Sequence, residues 1–457
     1  MISKSTAPAQ DAEEPAAFSV RERYARGKAL RSKVPRDAHS ALKTDGRDPI
    51  GILKRTEEGR VQELLWIRYE RMASSPFAFF RGAAAIMASD LTNTPVTGIR
   101  AQICGDAHLM NFGGFGTPER NFIFDVNDFD ETIEGPWEWD VKRLAASVAV
   151  ACASLSYNAR RTKKALAACL ASYRQTIRDC AAMPALEVWY LRIEAFDLLR
   201  DVIGDKRALK IEARQRGRTS SHLFPKIATI ENGRLRIVDE PPLIVHSTAP
   251  KSDEEFAQIL REYRDALPPE TRVLLDRYQP VDFAFKVVGV GSVGTRCFIA
   301  LLMADFNDPL VLQIKEAQES VLAPYCGASP FRNQGERVCT GQRLMQASSD
   351  ILLGWTSHGR HYYYVRQLRD MKTSANVETM TFRRLVAYVE YCGRALAHAH
   401  AKSGHPAFIA GYLGNSREFD RAVIEFAQAY VELNNRDYVA LLQAIRDGVL
   451  AHPPQGG

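Results

Sequence analysis

The chain has 457 residues, of which 25% are charged and 46% hydrophobic, with a formal net charge of +6. That length supports one large domain or two lobes, each with its own core. No apolar run of about 18 residues occurs, which argues against a membrane-spanning helix, and the positive charge is spread along the chain, so specific nucleic-acid binding is not expected.

Residues 1–18 mix Ala, Pro, Ser, Asp and Glu, lack the apolar centre of a signal peptide, and read as a disordered tail. The eight cysteines are scattered with no CxxC pair, which predicts buried free thiols in a reducing cytoplasm. Residues 19–47 are basic with helical spacing around Tyr24 and Leu30, and a second helix is predicted over Glu57–Arg71. Ser74-Ser75-Pro76 breaks the pattern before an apolar helix near Phe79–Ala88. Short strands are predicted at Thr97–Cys104 and Asn121–Val126, with a Gly-rich stretch, Asn111–Gly116, between them. Residues 138–200 have helical period. Residues 211–245 carry β-branched residues and an Asn232-Gly233 pair, a hairpin signal. The basic run Arg214-Gln215-Arg216-Gly217-Arg218 reads as a solvated loop or as a phosphate clamp.

Glu254–Leu275 is again helical. Residues 281–369 form a strand-rich block with one helix near Glu336–Ala347, and helices return at Thr381–Ala401 and Glu418–Leu442 before a frayed Pro-Pro-Gln-Gly-Gly end. The expected organisation is therefore a tail (1–18), a helical lobe (19–280) with a loop at 104–130 and an inserted hairpin at 211–245, a β-rich lobe (281–369), and closing helices (370–457).

Two stretches carry chemistry. In Gly105-Asp106-Ala107-His108-Leu109-Met110-Asn111 an Asp precedes an Asn by five residues, and Asp128 and Asp130 follow. Phosphoryl transfer needs a carboxylate to take the proton of the attacking hydroxyl, and hard oxygen ligands to hold magnesium against phosphates. Asp106 fits the base, and Asn111, Asp128 and Asp130 fit the metal ligands. His108 reads as a second catalytic group or a satisfied structural histidine. Asp125, Asp128 and Asp130 repel one another unless spread, solvated or bound to a cation. No Glu stands at the twelfth position from Asp125, which excludes an EF-hand loop.

The second stretch is Gly289-Val290-Gly291-Ser292-Val293-Gly294, followed by Thr295 to Ala300. A dinucleotide fingerprint must open a helix. These following residues read as a strand, so the turn fits a Gly-rich hairpin over ATP phosphates. Lys315 ends the next apolar strand, where a phosphate-binding lysine belongs, with Glu336 as its expected carboxylate partner and Glu319 as the runner-up. Gly289, Gly291, Ser292, Gly294, Lys315 and Glu336 are thus the candidate nucleotide contacts. Arg81, Arg214, Arg216 and Arg218 are candidates to hold an acidic acceptor or the triphosphate.

Gly105-Asp106-Ala107-His108 through Asn111, then Asp128-Phe129-Asp130, then Trp139-Asp140-Val141 resemble the catalytic half of aminoglycoside- and choline-kinase-like phosphotransferases. Roughly residues 20–440 also resemble a bacterial family named only as domain of unknown function 2252, through Phe80-Arg81-Gly82, Gly341-Gln342-Arg343-Leu344 and Tyr364-Val365-Arg366-Gln367-Leu368 besides these motifs. The kinase resemblance implies an α+β, two-lobed fold using ATP and Mg2+. Because Asp106 precedes Gly289, it also implies circular permutation, with the helix Thr381–Ala401 taking the place of the one that ordinarily enters the catalytic loop. An ATP-dependent phosphotransferase acting on an unidentified, small-molecule acceptor is the leading expectation. Nucleotidyl transfer, a nucleotide-binding pseudokinase and a metal-dependent hydrolase built on Asp106, His108 and Asp128 remain open.

Overall fold

In the computed structural model, residues 18–217, 220–231, 234–246, 253–287, 289–368, 371 and 373–452 are described. The expected tail over 1–17, the Asn232-Gly233 turn, Arg218 and the final Pro-Pro-Gln-Gly-Gly lie outside them. The architecture is mixed α+β, and none of its described helices is long and apolar enough to cross a membrane.

The largest core is helical. Helices Trp137–Ser154, Ala159–Ala182, Phe382–Ser403 and Glu418–Arg446 meet in it through Ala, Leu, Val and aromatic side chains. Small residues let the backbones approach. A Cβ on Gly393 would lie 2.3 Å from the Cys169 carbonyl oxygen, so the helix Phe382–Ser403 sits directly on Ala159–Ala182. All eight cysteines are free thiols, seven of them buried.

A six-stranded antiparallel sheet follows in the order Gly354–His358, His361–Gln367, Asp308–Glu316, Cys297–Asp305, Gln279–Lys286, Ile244–Val245. Period-2 alternation sorts its side chains. Leu310, Leu312 and Ile314 enter one apolar cluster with Phe285, Phe298, Tyr363 and Val365, while Val311 enters another with Ile299 and Leu301. Gln313 and Lys315 share the Val311 face, and Tyr364 and Arg366 alternate with Tyr363 and Val365 in the same way. In register, Lys315 stands opposite Tyr364 and Gln313 opposite Arg366. Four polar groups are therefore presented together on one side of the sheet.

The expected boundary at 281 needs correction. Helix Asp253–Asp265, assigned to the helical lobe, packs on the sheet through Phe256, Ile259 and Tyr263, and the Tyr263 hydroxyl donates to the Leu352 carbonyl at 2.6 Å. Leu223, Ile227 and Ile237 cover the other face. A sheet with two apolar faces must be covered on both, and these stripes are the chain's cover. The Gly-rich stretch read as a loop is instead strand Phe112–Gly116, paired with Phe122–Val126 on one side and Thr373–Ser374 on the other. Side chains are excluded there: a Cβ on Gly113 would lie 2.3 Å from the Thr373 oxygen.

Lys142 is fully buried on helix Trp137–Ser154, its Nζ without a hydrogen-bond partner and 4.9 Å from the Phe426 ring. Burial lowers its pKa to about 7, against the opposing pull of Glu138. The folded value is below the unfolded one, so the full penalty acts below pH 7 and is relieved as pH rises towards the unfolded value. Lys142→Met is expected to stabilise the protein near pH 6 by on the order of 3 kcal/mol, with the gain shrinking between pH 7 and pH 10. Paired melting curves across that range check this, and a gain independent of pH would contradict it.

Candidate active site

Strand Arg100–Ile103 pairs with Ile133–Pro136 and delivers the chain to Cys104. Gly105 follows with φ +80°, and a Cβ there would lie 2.4 Å from the Glu131 oxygen, so only glycine fits. The loop is held from below by Asp140, in the first turn of helix Trp137–Ser154. Its carboxylate accepts from the Cys104 amide at 2.8 Å and the Gly105 amide at 3.0 Å, and lies 3.3 Å from His400 Nε2.

Asp106 is thereby aimed. One carboxylate oxygen is 2.8 Å from the Arg143 guanidinium, which also donates to the Phe80 carbonyl at 2.8 Å and stacks on the Phe80 ring. His108 is buried, and its Nδ1 accepts from the Met110 amide at 3.2 Å. Its Nε2 therefore carries the hydrogen and lies 3.7 Å from the other Asp106 oxygen. Burial lowers the His108 pKa to about 4, with Asp106 opposing and Arg143 and Arg81 assisting, so the ring is neutral at pH 7. It acts as an orienting neighbour of Asp106. The Asn111 side-chain nitrogen donates to the Asp106 carbonyl at 2.8 Å, which leaves its Oδ1 to act as an acceptor.

The three aspartates of residues 125–130 separate. Asp125 accepts from the Val126 and Ala347 amides, each at 2.8 Å, away from the loop. Burial raises its pKa to about 6, against those two hydrogen bonds and Lys402. Asp128 and Asp130 turn the other way. Asp130 forms a salt bridge with Lys315, 185 residues away in sequence, and accepts from the Tyr364 hydroxyl at 2.9 Å and the Ser292 hydroxyl at 3.2 Å. Burial opposes the Lys315 charge, but Asp130, Tyr364 and Asp128 hold its pKa well above the usual lysine value.

These groups share one cavity of about 380 Å³, lined by Asp106, His108, Asn111, Asp128, Asp130, Gly289, Gly291, Ser292 and Lys315. Asp130 departs from the metal-ligand expectation, since both of its oxygens serve Lys315, Tyr364 and Ser292. Glu336 is a correction as well: it is not among the cavity-lining residues, and Lys315 takes Asp130 as its carboxylate. The next residue, Arg337, is the buried one and donates to the carbonyls of Asp130, Thr132 and Gln318. Gly294 has φ +86° and shapes the turn from outside the cavity.

The Gly-rich segment joins antiparallel strands through a short 3-10 turn, Val290–Ser292. It is not a free flap. The Val61 amide donates to the Gly294 carbonyl at 2.7 Å and Arg60 donates to the Val293 carbonyl at 2.6 Å. The run around Arg214 lies at the end of helix Asp205–Arg216, with Arg214 exposed and away from the cavity. The arginines that do line it are Arg60, Arg68, Arg81 and Arg366. Only Arg81 was singled out from the sequence. Arg68 had a signal, a cation inside the apolar run Leu65 to Tyr69, and Arg366 had one in the strand alternation of Tyr364-Val365-Arg366.

Among the described residues, no three His, Cys, Asp or Glu side chains are grouped to hold a metal. Asn111 and Asp128 both line the cavity and offer hard oxygen donors, a set that suits magnesium when phosphate oxygens and water complete it. The end of helix Phe382–Ser403 meets the strand before the loop, with the Ser403 hydroxyl donating to the Gln102 carbonyl at 3.2 Å.

No curated protein and no solved structure matches the chain. A family model does, over residues 60–444, a span that includes the Asp106 loop, the Gly289 turn and Lys315; the chain belongs to that family, DUF2252, described as an uncharacterized protein conserved in bacteria.

Proposed function

We propose that the protein transfers a phosphoryl group from ATP to a hydroxyl-bearing small molecule, with a circularly permuted kinase-like arrangement. The observation that carries this reading is the salt bridge between Lys315 and Asp130, which joins the two halves of the constellation in the cavity that also holds Asp106, Asn111 and Asp128. A triphosphate is only a few ångströms long, so its lysine and its metal ligands must converge in this way. The contact of Ser403 with Gln102 supports the permuted connection.

In this reading Lys315 binds phosphate oxygens as a buried point charge, and the Ser292 hydroxyl and the turn's amides add donors. Asn111 and Asp128 would hold magnesium, which when bound would neutralise phosphate charge. The Asp106 oxygen not held by Arg143 takes the proton of the acceptor hydroxyl. The acceptor oxygen bonds to the terminal phosphorus as the bond to the bridging oxygen breaks, and ADP leaves with that electron pair. Arg143 and His108 keep the Asp106 carboxylate turned to the acceptor.

Thermal melting tests the nucleotide part. ATP with magnesium is expected to raise the melting point, by the equivalent of about 2.7 kcal/mol at a hundredfold excess over Kd. Lys315→Met and Asp128→Asn should each remove most of the shift. A well-folded wild-type protein that shows none at millimolar nucleotide would sink the reading.

A further inference from the structure

Three arginines enter the cavity from a part of the chain that the mechanism above does not use: Arg60, Arg68 on helix Leu65–Ala73, and Arg81 on helix Pro76–Gly82. Arg60 is satisfied by the carbonyls of Thr56 and Val293. Arg68 is not. It is 2% exposed, and its Nε and Nη1 have no hydrogen-bond partner; the Nε of Arg81 is likewise buried and unpartnered. Arg68 lies 5.5 Å from the centre of the Tyr69 ring, and Glu57, the carboxylate that acts on it, accepts from the Tyr69 hydroxyl. Of the carboxylates that act on Arg81, Glu378 comes first and Asp106, which is held by Arg143, second. Burying guanidinium nitrogens without hydrogen-bond partners is expensive, and a cavity lined by the buried Arg68 and the half-buried Arg81 holds a demand for an anion.

Arg81 reaches the acceptor side, because the Arg143 that holds Asp106 also donates to the carbonyl of Phe80, the residue before Arg81. The arginine-bearing segment also packs on the Gly-rich turn: Arg60 donates to the Val293 carbonyl, and a Cβ on Gly291 would lie 3.7 Å from the Arg81 carbonyl oxygen. The carboxylates that act on Arg81 are Glu378 first and then Asp106, the proposed base. More than one positive charge faces the same space, which favours a dianion over a single carboxylate. A guanidinium fork matches phosphate oxygens two at a time.

We propose that Arg68 and Arg81 form a second anion site that holds the phosphate group of a phosphorylated small-molecule acceptor beside Asp106. The anion site stands on the arginines alone; its role as an acceptor site rests on the phosphotransferase reading.

Calorimetric titration of the full chain with inorganic phosphate, without nucleotide or metal, tests it. Wild type is expected to bind. Arg68→Gln and Arg81→Gln should each weaken binding by at least about tenfold, and Lys315→Met should change it by less than about twofold. Arg68→Met, which removes a buried unpaired charge, should melt higher than wild type in phosphate-free buffer and gain no protection from phosphate. The site is overturned if wild type binds no phosphate, or if both arginine variants bind as wild type does. It is equally overturned if Lys315→Met loses the phosphate while Arg68→Gln retains it, which moves the anion to the nucleotide side. Melting with ATP and magnesium separates the two readings. Arginine-dependent phosphate binding without a nucleotide shift removes only the phosphotransferase assignment, and the reverse pattern removes only the second site.

Discussion

Asp106→Asn is expected to lower turnover by on the order of 1000-fold while leaving the ATP-dependent melting shift in place. The substitution keeps the shape of the side chain and removes the basic oxygen. In the proposed mechanism Asp106 acts on the acceptor, whereas the proposed nucleotide contacts are Lys315, Ser292, Asn111 and Asp128, all lining the same cavity. A lower melting point is also expected, because Arg143 loses its carboxylate partner and is itself buried. Turnover of an identified acceptor, measured beside nucleotide protection, separates these effects. Full activity in the variant would remove Asp106 as the base, and loss of nucleotide protection would move it to the phosphate side.

The second large effect is expected at Asp140. Its carboxylate satisfies two backbone amides of the loop and neighbours His400 Nε2, all buried or nearly so. Asp140→Ala leaves those donors without an acceptor at the residues immediately before Asp106. The expected cost is on the order of 3 kcal/mol, read as a lower denaturation midpoint. The same change should lower kcat with little effect on the KM for ATP, since it displaces the base and not the nucleotide contacts. Asp140→Asn, which retains one acceptor oxygen, should fall between the two. A variant Asp140→Ala that melts like wild type would show that the loop is held by other contacts.

The site was legible in unequal parts. Asp106, His108 and Asn111 fall within six residues, and their mutual geometry follows from one loop: the His108 amide donates to the Asp106 carbonyl at 2.8 Å, and Asn111 returns to the same oxygen. Lys315 was readable because a strand presents alternate residues, so a lysine after Leu310, Leu312 and Ile314 must point away from their apolar face. The same alternation carries Arg366, which the sequence places in a family motif but not in the site, although it lines the cavity. Glu336 was expected to pair with Lys315 by analogy with the usual kinase helix, and Asp130 took that place.

What the sequence determined by itself is local. Gly105 must be glycine for its positive φ, Asp140 stands in a helix first turn, and the strands around Lys315 follow from period-2 alternation; each depends on neighbours a few residues away. Only the tertiary structure decided that Lys315 pairs with Asp130, that Arg68 and Arg81 enter the cavity, and that helix Asp253–Asp265 covers the sheet. Those contacts join residues tens to hundreds of positions apart. They are set by which apolar faces must be buried against each other, and the charged groups carried on those elements then take whatever partner the packing leaves within reach.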